Sequence, residues 1–401
     1  MLDAHGDIPS HVPQELVVDI DVYDLPGGDV DPQVAWRSVQ GRGPLIYTPR
    51  YGGHWIATTG PDIAKFYRDF HNFSSTEVVI PPPGGVPLLP IQADPPVHKY
   101  YRGTINQLFS PAVVQRLSGD IRMLATSLID DFIDKGECEF NSEFSVKFPL
   151  MIFLRIMGLP LDDLLYLRRI VDQYASSSDI ALKQAANAEL AAYLEKAIDD
   201  RIENPRGDGI TIVSQGMVDG RPFTRFEMLA TCVNLLQAGL DTVTNMLGFI
   251  VHHLARHPEQ RAYIRANFDR MHDITQELMR RFPIANMCRI LANDFEYKGV
   301  TMKAGDMMFL PTSLYNLDEN FIAHPEQVDF DRPASHITFG SGRHTCAGAV
   351  LARKEISIFL EEWLTRIPDF TIAPDRRPVF KASAINSAYK IWLQWPVAQA
   401  A

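Results

Sequence analysis

Phe339-Gly340-Ser341-Gly342-Arg343-His344-Thr345-Cys346-Ala347-Gly348 lies near the C-terminal end of the chain and spaces three glycines around a single cysteine. Glycine at that density marks backbone that turns tightly and lets something come close. The residues that follow, Ala349 to Leu360, have helical character. Cys346 therefore falls at or just before a helix N-terminus, where free N–H groups and the helix dipole favour a thiolate. A soft thiolate on an apolar loop suits iron or another thiophilic metal, and one cysteine cannot complete the four-ligand shell of a structural zinc. A single-thiolate site points to haem, whose porphyrin supplies the equatorial ligands. With the cysteine alone, a buried structural thiol on a turn would be the simpler reading.

The whole pattern, Phe-Gly-x-Gly-x-His-x-Cys-x-Gly over 339–348, resembles the haem-binding signature of the cytochrome P-450 superfamily, and every fixed position is matched. The likeness runs from about His11 to Pro396 and is strongest to the soluble bacterial branch that includes camphor hydroxylase. It implies a mainly α fold with smaller β-sheets, haem b between a long central helix and the cysteine loop, and Cys346 as the iron ligand. Phe339, Gly340, His344 and Gly348 would surround the cofactor. The reaction implied is insertion of one oxygen atom from O2 into a C–H bond. A haem-thiolate sensor or ligand-binding protein, and a peroxygenase using H2O2, are the other two readings.

Composition agrees with a folded enzyme. The chain has 401 residues, 46% hydrophobic and 22% charged, so a large core is available. A net charge of −11 argues against nucleic acid or an anionic membrane as the main partner. Cys138, Cys232, Cys288 and Cys346 show no disulfide-like spacing, which suits a reducing cytoplasm. The opening Met1-Leu2-Asp3-Ala4-His5-Gly6-Asp7 has neither a basic region nor an apolar core, and no uncharged apolar run is long enough to span a bilayer. The expectation is one domain over 1–401, with β-rich portions at about 40–60, 284–318 and 378–396 and a cytoplasmic location.

The second decisive stretch is 224–256. Thr224-Arg225-Phe226-Glu227 is a capping box, and the pattern then reads as one helix until His257-Pro258 stops it, a length of roughly 50 Å. Asn234, Gln237, Asp241, Thr242, Thr244 and Asn245 are set into its apolar middle, a costly group to bury without purpose. Ala238-Gly239 offers a flat patch for a planar group. The run Ala238-Gly239-Leu240-Asp241-Thr242 resembles the family's oxygen-activating segment, which makes Asp241 and Thr242 the catalytic candidates. A core helix whose threonine bonds its own i−4 carbonyl is the plain alternative.

Other assignments hang on these two. Residues 78–96 are rich in proline, including Pro81-Pro82-Pro83-Gly84-Gly85, and read as a binding loop. His98 and Arg102 share a helix face, and the resemblance makes them, with Arg289 and His344, ligands of the haem propionates. Met287 stands where the branch places an aspartate. Glu277 and Arg280 can pair, and the family adds a later arginine, here Arg332, in a structural role. Residues 45–58 form a hairpin, and 105–220 read as packing helices without a catalytic grouping. Val79, Val86, Leu88, Asn234, Gln237, Ala238, Ala285, Ala384 and Ile385 are the candidate substrate contacts. Val86 stands where the resembled branch has a hydrogen-bonding tyrosine. A compact apolar terpenoid or norisoprenoid, rather than camphor, is the expected ligand. By resemblance, electrons come from a 2Fe–2S ferredoxin and its NADH-dependent reductase. Lys99, Arg102, Arg343, Arg353 and Lys354 form a basic patch for that carrier.

Overall fold

In the computed structural model, which describes residues 6–333 and 335–397, the periodic stretches become helices and the β-rich stretches small sheets. Met1 to His5, part of the opening read above, lie outside the described residues. The helix Ala349–Arg366 that follows the cysteine loop packs along Pro111–Asp130, and between them and the turn at Asn141–Ser145 sits a cluster of rings. Trp363 is in edge or tilted contact with Phe132, Phe140, Phe144, Phe359 and Phe370 at 5.1–5.9 Å. Such contacts add about 0.5–1.5 kcal/mol each beyond area burial, so the helix that starts at the cysteine loop is anchored along its length.

The expected hairpin is present: Leu45–Thr48 pairs antiparallel with His54–Ala57 at the edge of a five-stranded sheet. The inner strand is joined in parallel by Met307–Leu310, which pairs antiparallel with Met287–Leu291, and that with Phe73–Ser74. Before the hairpin, Pro32–Ala35 forms an α turn capped by the Asp31 carboxylate and continued as a 3-10 turn over Trp36–Val39. Residues 78–96 contain no helix or strand.

One expectation is overturned. The stretch after the capping box, which Thr224 and Glu227 do form, is two helices, Arg225–Gly239 and Thr242–Arg256, interrupted at Leu240 and Asp241. The interruption has an outside cause. Arg168, on the Leu164–Ser176 helix, donates from Nη1 to the Leu240 carbonyl at 2.7 Å and from Nη2 to the Asp241 carboxylate at 2.7 Å. Asn245 bonds the Asp241 carbonyl and carboxylate at 3.0 and 2.7 Å. Side chains thus take over backbone partners that a continuous helix would use. Gly239 sits at the break for a packing reason: a Cβ there would stand 2.5 Å from the Phe153 ring.

A buried ion pair fixes the approach to the cysteine loop. On Met271–Arg281, Arg280 makes two 2.7 Å bonds to the Glu277 carboxylate, and Arg332 reaches the same carboxylate at 3.4 Å. Arg280 also donates to the carbonyls of Asn316, Pro325 and Gln327 at 2.7–2.9 Å. Asn316 in turn holds Ile337 N–H at 3.0 Å and the Thr338 hydroxyl at 2.8 Å, one residue before Phe339.

Two stability outcomes follow. Glu277→Ala leaves Arg280 buried and uncompensated, so urea denaturation should show a loss of about 3–5 kcal/mol; a loss under about 1 would contradict the network. Gly239→Ala should cost about 1–3 kcal/mol by overpacking although alanine gains about 1 in helix propensity, and a second change, Phe153→Ala, should abolish the penalty of the alanine.

Candidate active site

The cysteine loop is closed by its own backbone. Cys346 N–H donates to the Phe339 carbonyl at 2.8 Å and Gly340 N–H to Ile337 at 2.8 Å. Gly340 and Gly342 adopt φ of 74° and 78°, which favours glycine at both. A helix begins at Ala349 with no side chain capping its N-terminus, leaving N–H groups for another acceptor. The Gly348 and Ala349 N–H groups turn to the Cys346 sulfur, and with Arg102 and Arg353 they oppose burial, which pushes the thiol up. The other three cysteines are buried in the core; the Cys346 sulfur, deep in the fold, opens onto a cavity.

All the residues named above for the cofactor line that one cavity, and so does Thr242. Four of them, two histidines and two arginines, form a donor rim. His98 and His344 meet in a tilted contact at 4.4 Å between ring centroids, and the Nε2 of each is buried without a partner. Burial, helped by the surrounding arginines, pushes His98 down and His344 down to about 3. Arg289 is 2% exposed and spends one bond on the neighbouring Cys288 carbonyl. Arg102 bonds Asn106. Buried donors with spare hydrogen-bonding capacity in such number suit an anion. Two carboxylates of a planar group beside a thiolate are what this rim fits, and haem b carries two propionates.

The helices Arg225–Gly239 and Thr242–Arg256 bring Asn234, Gln237, Ala238, Gly239 and Thr242 to the same cavity. The Thr242 hydroxyl donates to the Ala238 carbonyl at 3.2 Å, so its lone pairs face outward. Asp241 does not line the cavity. It is buried against Arg168, which also bonds Asp172 at 2.7 and 2.8 Å. Burial pushes Asp172 up to about 6, with Arg168 pulling it down.

Of the candidate substrate contacts, Val86 alone is absent from the cavity wall: its carbonyl accepts from Asn187 at 3.2 Å and the side chain packs into the core. The loop bends there because Leu88 N–H bonds Gln92 at 2.6 Å and Leu89 N–H reaches Ala230 at 3.4 Å. Met287 lines the cavity on the strand that carries Arg289. Within the basic patch, Lys99 and Arg343 are exposed, whereas Arg353 is held by Gln276 at 2.9 Å over the Phe339 ring.

Sequence reasoning passed over three charged residues. Arg168 and Lys183 lie among helices read as packing scaffold, and their role depends on contacts distant in sequence. Glu355 lines the cavity from Ala349–Arg366, 2% exposed, and burial holds it well above the usual carboxylate range; an acid on the apolar face of that helix was the available signal.

The cytochrome P-450 family model matches residues 162–381. A probable cytochrome P-450 127A1 of Sinorhizobium fredii is 32% identical over 97% of this chain and 97% of its own. Cytochrome P-450-terp of a Pseudomonas species is 26% identical over 94% and 96%. The crystal structure of CYP101J2 superposes with a TM-score of 0.89 at 37% identity, covering 98% of this chain and 100% of that one. The chain belongs to the cytochrome P-450 family: it is a haem-thiolate monooxygenase whose cofactor is haem b.

Proposed function

We propose that this enzyme hydroxylates a compact apolar substrate, terpenoid or norisoprenoid in type, with O2 and two electrons from a 2Fe–2S ferredoxin. The observation that carries the reading is the convergence on one apolar cavity of the Cys346 sulfur, the unpartnered Nε2 atoms of His98 and His344, the guanidinium groups of Arg102 and Arg289, and the Thr242 hydroxyl. Cys346 would ligate the iron, the two arginines and two histidines would hold the propionates, and Ala238, Gly239, Phe339, Gly340 and Gly348 would enclose the macrocycle. When bound, the haem supplies the oxidising power, and the thiolate supports O–O cleavage.

The protein's own contribution is proton handling and exclusion of water. Thr242 spends its proton on the Ala238 carbonyl, so in this arrangement it accepts from a water or ligand in the cavity and must rotate to donate. Asp241 is the shuttle to solvent, and Arg168 is its positioning residue: the carboxylate takes up and passes a proton when the guanidinium shifts toward Asp172, with which it is already paired. Val79, Leu88, Ala285, Ala384 and Ile385 give the substrate an apolar bed, and Asn234 and Gln237 polar contacts. The likeness to the enzyme named P-450-terp leans toward the same substrate class.

Lys99 and Arg343, with Arg102, Arg353 and Lys354 behind them, would steer an acidic carrier to the cysteine-loop side. No helix among the described residues is long and apolar enough to cross a membrane, and we place the enzyme in the cytoplasm.

A reduced-plus-CO spectrum tests thiolate ligation, and NADH-driven product formation with and without ferredoxin tests the electron source. Thr242→Ala should keep consuming NADH while product per NADH falls at least about tenfold and hydrogen peroxide rises; unchanged yield would remove Thr242 from the proton path. Raising ionic strength from about 0.1 to 1 M shortens the screening length from ~10 to ~3 Å. Ferredoxin-driven turnover should then fall severalfold, and a flat salt profile would discard the basic patch.

A further inference from the structure

The cavity wall holds a lysine that none of these roles uses. Lys183, in the first turn of Ile180–Glu203, lines the cavity and is 1% exposed. Its ammonium donates to the Tyr174 carbonyl at 2.9 Å, near the end of Leu164–Ser176, and lies 5.0 Å from the Tyr174 ring and 5.6 Å from the Tyr23 ring. Among the described residues it has no carboxylate partner. The Cys288 thiol is the titratable group acting on it, and Glu77 acts on Tyr174 and Cys288. Burial pushes the amine down to about 8, which leaves it mostly cationic at neutral pH.

Capping a helix does not require this arrangement. A lysine serving only the Tyr174 carbonyl would lay its stem on the protein and keep its charge in water. Here the charge is desolvated, the helix terminus and two aromatic faces offset part of that cost, and among the described residues one of three N–H donors finds an acceptor. The neighbourhood extends the polarity. Asn187, four residues along and on the same helix face, gives its amide N–H to Val86 and accepts from Gln237 at 3.3 Å. Asn234, one turn before Gln237, is 8% exposed, lines the cavity and has no side-chain hydrogen bond among the described residues. A polar stripe with spare donors thus crosses an otherwise apolar wall.

We propose that Lys183 is the substrate's polar anchor, donating a charge-assisted hydrogen bond to a carbonyl or carboxylate oxygen on an otherwise apolar molecule. This rests on the apolar-substrate reading above and assigns the functional group that reading left open. The anchor also fixes orientation, since a molecule tethered at one oxygen presents a restricted set of C–H bonds to the Cys346 side of the cavity.

The test is calorimetric titration of the holoenzyme at pH 7 with the p-menthane and pinane skeletons, each as hydrocarbon, ketone and carboxylate. The wild type should bind the oxygenated members roughly tenfold to hundredfold more tightly than the hydrocarbon. Lys183→Met should erase that difference and leave hydrocarbon affinity within about twofold. Lys183→Gln, which keeps a neutral donor for the Tyr174 carbonyl, should retain the melting temperature and lose any preference for carboxylate over ketone. Equal weakening of all members by Lys183→Met, or a wild type indifferent to the oxygen, overturns the anchor and leaves the apolar-substrate reading standing. Failure of every member to bind the wild type removes both.

Discussion

The buried pair Glu277–Arg280 is the constraint on which the site rests. Arg280 is 1% exposed and ties its own helix to the carbonyls of Asn316, Pro325 and Gln327. Through Asn316 the same helix reaches Ile337 and Thr338. A loop that must hold one sulfur in place cannot be held by glycines, which add freedom. Rigidity comes from the segment just before it, clamped by charge-assisted bonds inside the protein, where they are strongest and where a lost partner is most expensive. The ring cluster around Trp363 does the corresponding work on the helix that leaves the loop.

Charge is distributed unevenly around the cavity, and the unevenness is informative. One rim carries His98, Arg102, Arg289 and His344, none of them ion-paired among the described residues and only Asp94 acting on two of them from a distance, which fits a cofactor that brings its own carboxylates. Asp241, across the cavity, is fully answered by Arg168 and Asn245, so its carboxylate is held ready and out of the pocket. Between these extremes Lys183 is half answered. Spare donors gathered on one cavity, at the cofactor rim and on one wall, suit molecules that bring their own acceptors.

Much of this was legible in the sequence because it is local. The spacing of the cysteine loop, the Thr224–Glu227 capping box, the hairpin around Gly52-Gly53 and the three-residue offset of Glu277 and Arg280 each carry their geometry within a few residues. The helix break was not legible. The apolar pattern runs on through Leu240, and what opens the backbone is Arg168, a residue 72 positions away on a helix that looks like scaffold. Val86 misled for the same reason: alignment to a relative gives its place in the loop, whereas its direction is set by Asn187 on another helix. Gly239 was read as a platform, and its necessity comes from the ring of Phe153.

The strand Met287–Leu291 shows how far the chemistry depends on packing elsewhere. Met287 and Arg289 face the cavity, while Cys288 between them is buried in the hydrophobic cluster that also holds Trp36, Trp55 and Phe309. Side chains alternate strictly along a strand, so a slip by one residue would exchange the two faces. The pairing of Met307–Leu310 with Met287–Leu291 therefore works as an address: the sheet, down to the edge hairpin with Trp55, decides that a guanidinium rather than a thiol is delivered to the cofactor rim.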